Sequence, residues 1–300
     1  MIALDTTVTP LLWEWHATGS IWRIYHSGGV DARVSRVAAA EVEADEARWS
    51  RFRPDSDVSR INRGAGHPVA VDRSTLNLVD AACRWRERTG GVFQPLAGRL
   101  LEAWGYGSSF TPQSAGAPLS PETGARLMGR PRVDRERGTV TVPAGSMLDL
   151  GGIAKSWIAR RLAETLRACC DDTRMLVDAG GDLVSVRGEH LIAVDDSSQT
   201  DLPIGHAALA DGWGAATSGW GRRHWTNGDG RAAHHLIDPH TGEPGGRTHA
   251  TVFAADPVAA DVLATVLALR PQDAARRPEP CRARLDAHVW TSPAWREVAR

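Results

Sequence analysis

The sequence has little of several features that mark specialised classes of protein. Its 300 residues contain four cysteines, four phenylalanines and two tyrosines, and the formal net charge is −1. A charge near zero does not supply the positive field with which nucleic-acid-binding proteins attract phosphates. No apolar run reaches the ~20 residues that a membrane-spanning helix needs. We therefore expect neither a nucleic-acid partner nor a membrane span.

The cysteines and the first residues predict a reduced, cytoplasmic protein. Cys83, Cys169, Cys170 and Cys281 lack the spacing of metal ligands, and an adjacent pair is a poor start for a disulfide framework. Residues 1–5 lack the basic region, apolar core and cleavage site of a secretory signal. A cytoplasmic location is the expectation.

What is present is an ordinary globular composition with an excess of tryptophan. Hydrophobic residues make up 42% of the chain and charged residues 24%, and the length allows a sizeable core. Twelve tryptophans stand against six other aromatic rings. Core packing is the simpler explanation, and stacking on a planar ligand is the alternative. Composition alone favours packing.

Helical and strand patterns do not alternate regularly along the chain. Apolar spacing predicts helices at about 31–48, 58–62, 72–88, 96–104, 153–168 and 258–269. Strands are predicted at 12–28 (around a turn), 132–142, 174–178, 183–187, 190–195, 206–210, 214–217, 248–254 and 287–290. Loops are predicted at 108–119 and 220–234. This order favours an α+β fold, with mixed, mainly antiparallel sheets and packed helices in one domain over 1–300.

One stretch, Asp149–Lys155, places two glycines between an apolar run and a helical pattern. Glycines there let the backbone approach a ligand and leave the first helical amides available to an anion. Asp149 and Lys155 put opposite charges on either side of the turn. The alternative is a tight turn whose glycines serve steric needs only.

Three polar clusters elsewhere are further candidates. Thr217-Ser218-Gly219 follows a predicted strand, and His234-His235 precedes a turn. Asp261 and Thr265 are four residues apart on a predicted helix, so both side chains lie on one face. A carboxylate and a hydroxyl in this arrangement suit Mg²⁺, which keeps water and phosphate oxygens as its other ligands. Taken singly, each cluster also fits an ordinary structural role.

In their order along the chain, these clusters resemble the FAD:protein FMN transferases, the ApbE-type flavin transferases. The resemblance covers about residues 16–270 and leaves the Arg-rich tail (275–284) less certain. Seven ordered segments carry it: Thr18–Ser20, Ser50–Asn62, Asp149–Ser156, Ala179–Asp182, Thr217–Gly219, His235–Gly242 and Ala260–Thr265. Agreement of seven motifs in order is a specific signal.

The resemblance implies a set of site residues. A Mg²⁺ ion would be held by Asp261, Thr265 and the backbone carbonyl of Gly152. His235 would be the general base, and Asp261 would serve catalysis through the ion. The implied contacts with FAD are Thr18, Phe52, Trp104, Gly105, Tyr106, Asp149, Lys155, Ser218 and Ile237.

The resemblance also implies a reaction in which FAD is the substrate. A Thr or Ser hydroxyl of an acceptor protein would displace AMP and leave FMN attached through a phosphoester. Two alternatives remain, namely hydrolysis of FAD to FMN and AMP, and a non-catalytic FAD-binding module. The sequence departs from the family pattern at three places: Ser156 replaces a glycine, Thr18 replaces a methionine, and Gln94–Leu96 replaces an Asp-x-Thr segment.

Overall fold

A computed structural model of the chain describes residues 11–28, 30–107, 129–170, 173–195, 203–220, 224–227, 230–245, 249–272, 281–285 and 288–291. The chain divides into two compact units. Unit 1 comprises Met1–Asp45, Lys155–Gly219 and Thr248–Arg300, and unit 2 comprises Glu46–Ala154 and Trp220–Arg247. The loop predicted at 108–119 lies outside the described residues, and the prediction of one domain stays a prediction.

The described helices and strands are short to medium in length. The helices are α1 (Ala32–Trp49), α2 (Asp57–Arg63), α3 (Arg73–Arg88), α4 (Gly98–Ala103), α5 (Ala154–Cys169) and α6 (Pro257–Leu269). The strands are β1 (Leu11–Ala17), β2 (Ser20–His26), β3 (Val69–Ala70), β4 (Arg132–Asp134), β5 (Thr139–Thr141), β6 (Met175–Ala179), β7 (Leu183–Arg187), β8 (His190–Asp195), β9 (Pro203–Leu209), β10 (Gly214–Ser218), β11 (His224–Thr226), β12 (Ala232–His234), β13 (Ala250–Ala254), β14 (Cys281–Leu285) and β15 (His288–Thr291). Among the described helices, none is long and apolar enough to cross a membrane.

Unit 1 is built on an antiparallel sheet whose described strands run in the order β1-β2-β6-β7-β10-β13-β14-β15. Strands β8 and β9 form a separate antiparallel pair. An apolar cluster in this unit joins Leu176 of β6, Ala215 of β10 and Phe253 of β13. The α+β class with mainly antiparallel pairing is therefore confirmed.

Helix α6 packs against β10 and β13, and this contact positions the polar residues discussed below. The carboxylate of Asp256 caps its N-terminus by accepting a hydrogen bond from the Val258 amide (3.0 Å). A Cβ on Gly214 of β10 would overlap Pro257, so glycine permits the close approach of strand and helix. Every residue of α6 is buried except Thr265. Asp261 is thus a charged residue within a buried, apolar helix.

Unit 2 contains α2, α3 and α4 with the three-stranded sheet β3-β5-β4 and the pair β11-β12. Ser56 caps α2 by accepting a hydrogen bond from the Ser59 amide (3.0 Å), and Asp72 caps α3 through the Ser74 amide (2.8 Å). Both caps are side-chain oxygens that satisfy an amide of the first helical turn. They fix where each helix begins.

One local prediction was wrong, because the segment predicted as a loop at 220–234 contains β11 and β12. The Arg-rich tail, for which no strand was predicted before residue 287, contains β14, which pairs with β13. The apolar run before Asp149 forms no strand; its Met147 makes an isolated bridge with Ala97. A strand of two or three residues is too short to show an alternating pattern. The loop-forming or charged composition of such a segment therefore determined the prediction.

Candidate functional site

A cluster of polar side chains in unit 1 gathers around Asp261. Its carboxylate is 6% exposed. The hydroxyl of Ser156, in the first turn of α5, donates a 2.8 Å hydrogen bond to Asp261 Oδ2. Ser156 is itself buried. The structure therefore brings together two segments that are 105 residues apart in sequence.

Lys155 and Asp182 form an ion pair in the same cluster. Lys155 Nζ lies 2.5 Å from Asp182 Oδ2, and the Asp182 side chain is almost wholly buried. Asp182 follows the turn after β6, where Gly180 and Gly181 have φ angles of 70° and 106°. A Cβ on Gly180 would overlap Ser20, so this turn needs glycine for space as well as for its backbone angle.

Burial, together with the nearby Asp182 carboxylate, raises the pKa of Asp261 to about 8, against the opposing effects of Lys155 and the Ser156 hydroxyl. A buried carboxylate with this balance favours either a proton or a cation. Carboxylate and hydroxyl oxygens are ligands for hard cations. The residues present thus fit a divalent cation, with the fit resting on the burial of Asp261.

Within the described residues, no group of three or more His, Cys, Asp or Glu side chains is arranged to hold a metal ion. Structural zinc sites of the closed, four-ligand kind need such a group. A cation at Asp261 would instead resemble the Mg²⁺ mode, with one carboxylate and most other ligands from water or substrate phosphates.

The end of β10 lies beside α6 and carries the Thr217–Gly219 segment. The Ser218 and Thr265 hydroxyl oxygens are 3.1 Å apart, and those of Thr217 and Thr251 are 2.9 Å apart. A Cβ on Gly219 would overlap the imidazole of His249. Ser218 and Thr265, two residues predicted separately as site residues, therefore form one hydrogen-bonded pair.

Thr18 occupies the β1–β2 turn with a φ of 52°, which is unusual for a β-branched residue. Its hydroxyl accepts a 2.9 Å hydrogen bond from the indole Nε1 of Trp22, a fully buried side chain. This contact gives Thr18 a structural part in the hairpin. Its predicted contact with FAD stays a prediction.

In unit 2, the buried side chain of Arg51 connects segments that were predicted separately. Its Nε lies 2.5 Å from Asp149 Oδ2. Its other two guanidinium nitrogens donate to the backbone carbonyls of Tyr106 and Gly107, each at 2.6 Å. The Asp149 carboxylate also accepts the Gly151 amide at 2.7 Å. The turn at Asp149 and the backbone of residues 106–107, which follows α4, are therefore both bound to the guanidinium group of Arg51.

An aromatic cluster surrounds the same guanidinium. Its centre lies 4.2 Å from the Phe52 ring centroid and 5.3 Å from that of Tyr106. Tyr106 stacks on Trp225 with centroids 5.7 Å apart and planes 22° apart. The Trp225 indole donates to the Trp104 carbonyl (2.7 Å), and Trp104 donates to the Gly242 carbonyl (2.8 Å). Flat rings and a buried cation suit recognition of a planar ligand.

The histidine segment of unit 2 follows β12. Ile237 packs in the same apolar cluster as Trp104 and Tyr106. His235 is half-buried. Burial lowers the pKa of its neighbour His234, and the nearby His224 lowers it further. Gly152 is also a residue of unit 2, where a Cβ would meet the Phe93 ring at 3.4 Å.

Each unit thus assembles part of the predicted set. Unit 1 brings Lys155, Ser218, Asp261 and Thr265 into adjoining contacts. Unit 2 brings Phe52, Trp104, Gly105, Tyr106, Asp149 and Ile237 around one aromatic cluster and its arginine.

Sequence reasoning missed Arg51, Trp225 and the contact of Ser156. Arg51 stands between two motif residues and has no pattern of its own. The unusual number of tryptophans was the signal for Trp225, although composition alone favoured packing. Ser156 was noted only as a departure from a glycine.

Comparison with known proteins places these arrangements in a family context. A sequence model of the ApbE family matches residues 4–280. A protein of Treponema pallidum named FAD:protein FMN transferase is 29% identical over 75% of this chain and 67% of its own length. One of the same name from Klebsiella pneumoniae is 30% identical over 72% of this chain and 68% of its own length.

Solved structures extend the similarity to the fold. The ApbE protein of Thermotoga maritima matches with a TM-score of 0.84 and 27% identity, over 97% of this chain and 99% of that one. The flavin transferase ApbE of Vibrio cholerae matches with a TM-score of 0.76 over 98% and 99% of the two chains. At 21% identity, the second match is evidence for the fold alone.

Proposed function

Because the chain belongs to the ApbE family, we propose that it transfers the FMN part of FAD to a Thr or Ser hydroxyl of an acceptor protein. The acceptor oxygen forms a bond to the phosphorus that carries the flavin. The bond from that phosphorus to the bridging oxygen of the pyrophosphate breaks, and AMP leaves. The hydroxyl proton passes to a base on this chain. The observation that carries the proposal is the buried Asp261 carboxylate, which accepts a hydrogen bond from Ser156 and lies close to the ion pair of Lys155 and Asp182.

We propose that Asp261 and Thr265 hold a Mg²⁺ ion. The ion would supply positive charge to the pyrophosphate, which lowers the cost of placing a nucleophile against it. Lys155 stands beside Asp182 in the same cluster and is proposed to contact FAD, as is Ser218 beside Thr265. The share of Gly152 in holding the ion remains a prediction of the resemblance.

The aromatic cluster of unit 2 is proposed to hold a ring system of FAD. Phe52 and Tyr106 present flat faces beside the Arg51 guanidinium, and the backbone of Trp104–Tyr106 is fixed by hydrogen bonds. Aromatic side chains that are already held in place lose little conformational entropy when a planar ligand binds to them. The contacts of Asp149, Gly105, Ile237 and Thr18 with FAD are proposed on the same resemblance.

His235 is proposed as the base that takes the acceptor hydroxyl proton. A neutral imidazole can accept a proton from a hydroxyl group and later release it to solvent. This chain's residues then perform positioning and charge stabilisation, which dominate catalysis of phosphoryl transfer.

Incubation with FAD, Mg²⁺ and a purified flavin-acceptor domain tests the proposal. A covalently flavinylated acceptor together with stoichiometric AMP is the expected result, and chelation by EDTA is expected to abolish both. AMP and free FMN without labelled acceptor would overturn transfer in favour of hydrolysis. FAD binding without AMP would overturn catalysis and leave a binding module.

Asp261→Ala tests the cation site. The variant is expected to lose AMP release while it stays folded, with a thermal unfolding midpoint lowered only by the loss of the hydrogen bond from Ser156. Asp211→Ala serves as the control, since Asp211 is an exposed acidic residue of the same unit, paired with Arg167. Undiminished AMP release from folded Asp261→Ala would contradict the assignment.

A further inference from the structure

Ser156 stands where the family pattern has glycine, and its hydroxyl makes a hydrogen bond in this chain. Its Oγ donates to Asp261 Oδ2 at 2.8 Å, and both residues are more than nine-tenths buried. Among the described residues, this is the one hydrogen bond that the Asp261 carboxylate accepts. A glycine at this position would leave that oxygen without its donor.

We propose that Ser156 is a positioning residue for Asp261, which commits Oδ2 to a hydroxyl and leaves Oδ1 as the oxygen that faces a divalent cation. The inference rests on the proposed function, because it requires a cation at Asp261. It goes beyond that function in assigning a role to a side chain that the family pattern lacks and in stating how the carboxylate binds.

The geometry supports one bound oxygen over two. A carboxylate that chelates an ion through both oxygens needs both lone-pair edges open to it. Here a buried hydroxyl on α5 occupies one of the two lone pairs of Oδ2, which restricts rotation of the carboxylate and leaves Oδ1 the less encumbered oxygen. Partners of this kind orient metal ligands, and their loss typically costs about 10–100-fold in metal affinity.

The surrounding contacts explain why a hydroxyl serves here. Lys155, the preceding residue, forms its ion pair with Asp182, and no hydrogen bond from it to Asp261 is present among the described residues. A neutral donor holds Asp261 without competing with a cation for its negative charge. Burial of Ser156 in the first turn of α5 leaves its side chain few other orientations.

Binding of Mn²⁺, followed through the EPR signal of the free ion with and without FAD, tests the inference on the whole chain. Ser156→Ala is expected to weaken Mn²⁺ binding about tenfold, whereas Ser156→Thr, which keeps a hydroxyl, is expected to retain the affinity of the unsubstituted protein. Thermal unfolding without metal is measured for each variant. Ser185→Ala is the matched control, because Ser185 is a buried serine of the same unit whose hydroxyl donates to a backbone carbonyl (2.6 Å).

The outcomes separate this inference from the function on which it rests. Unchanged or tighter Mn²⁺ binding by Ser156→Ala, with Asp261→Ala unable to bind, would overturn the role of Ser156 and leave the cation site intact. Equal losses in the Ala and Thr variants at unchanged unfolding midpoints would overturn it as well. Unchanged binding by Asp261→Ala would overturn the cation site itself.

Discussion

Arg51 and Asp149, 98 positions apart in sequence, form a buried ion pair with an Nε–Oδ2 distance of 2.5 Å. The same guanidinium donates to two carbonyls of the 106–107 backbone. One arginine therefore fixes the turn that opens the Asp149–Lys155 motif and the segment that carries an aromatic face. Neither segment has this arrangement by virtue of its own local sequence.

Arg51→Lys is expected to weaken FAD binding at least about tenfold, because an ammonium group cannot replace a planar fork that serves three acceptors. Titration of the flavin fluorescence on binding measures the loss. Arg231→Lys is the matched control: Arg231 likewise lies over an aromatic ring, that of Trp104, and pairs with Glu243, but it is exposed, where ion pairs contribute little. Equal FAD affinities for Arg51→Lys and the unsubstituted protein would refute the role of this arginine.

Lys155 is the single lysine of the 300-residue sequence, in which the other basic residues are arginines. Lys155→Arg is expected to reduce FMN transfer, because the bulkier guanidinium does not fit the compact pairing with Asp182 at a partly buried position. Rates of AMP release with saturating Mg²⁺ measure the effect.

The same residue allows a direct test of its contact with FAD. Acetylation by an amine reagent can modify only the Lys155 side chain and the N-terminal amine, which serves as an internal control. Bound FAD is expected to slow modification of Lys155 selectively, as measured by peptide mass spectrometry. Equal protection factors at the two amines would argue against a contact.

Gly219→Ala is expected to disturb the end of β10, because the added Cβ would overlap the His249 imidazole. Movement there separates the Ser218 and Thr265 hydroxyls, now 3.1 Å apart. A loss of Mn²⁺ affinity with a lowered unfolding midpoint is expected, measured by EPR and calorimetry. Gly107→Ala provides the comparison, since a Cβ on Gly107 meets no atom within 4 Å and its φ angle is not positive; similar metal affinities in the two variants would contradict the expectation.

His26 gives a pH dependence that is separate from the site. Its ring is buried against Trp13, and burial lowers its pKa below the usual 6.5. The folded state then binds a proton less readily than the unfolded state, so the stability contributed by the neutral ring is present above pH ~6.5 and is lost as the pH falls through the folded pKa.

His26→Phe is expected to reduce this acid destabilisation. Within the described residues neither ring nitrogen of His26 has a hydrogen-bond partner, so the apolar ring is also expected to raise the free energy of unfolding at pH 5 by about 1–3 kcal/mol. Urea denaturation at pH 5 and pH 8 measures both effects. A pH dependence identical to that of the unsubstituted protein would exclude His26 as its source.

Much of the fold followed from local pattern. Apolar periodicity located α1, α3, α5 and α6. Short strands such as β11 and β12 were not predicted, because three residues cannot establish a period. Pairing with a distant strand, as in β14, depends on tertiary neighbours that a local window does not contain.

In the candidate site, too, relations within one helix could be predicted, whereas contacts between distant segments could not. Asp261 and Thr265 could be placed on one face from their spacing, since that relation is internal to a helix. The hydrogen bond from Ser156 and the ion pair of Arg51 connect segments about a hundred residues apart, and no local rule gives them. The order of the motifs predicted which segments contribute to the site, whereas the contacts between their side chains depend on the tertiary structure.

The position of helix α6 links the packing of the hydrophobic core to the affinity of the proposed cation site. The helix that carries Asp261 and Thr265 also contributes Leu263 and Val266 to the fully buried interior. A cavity opened beneath these side chains would shift the helix, and with it the oxygens proposed to meet the cation, by fractions of an ångström. Affinity for Mn²⁺ would then register repacking too small to change the unfolding temperature. Selection for catalysis would act on the hydrophobic side of this helix as strongly as on its polar one.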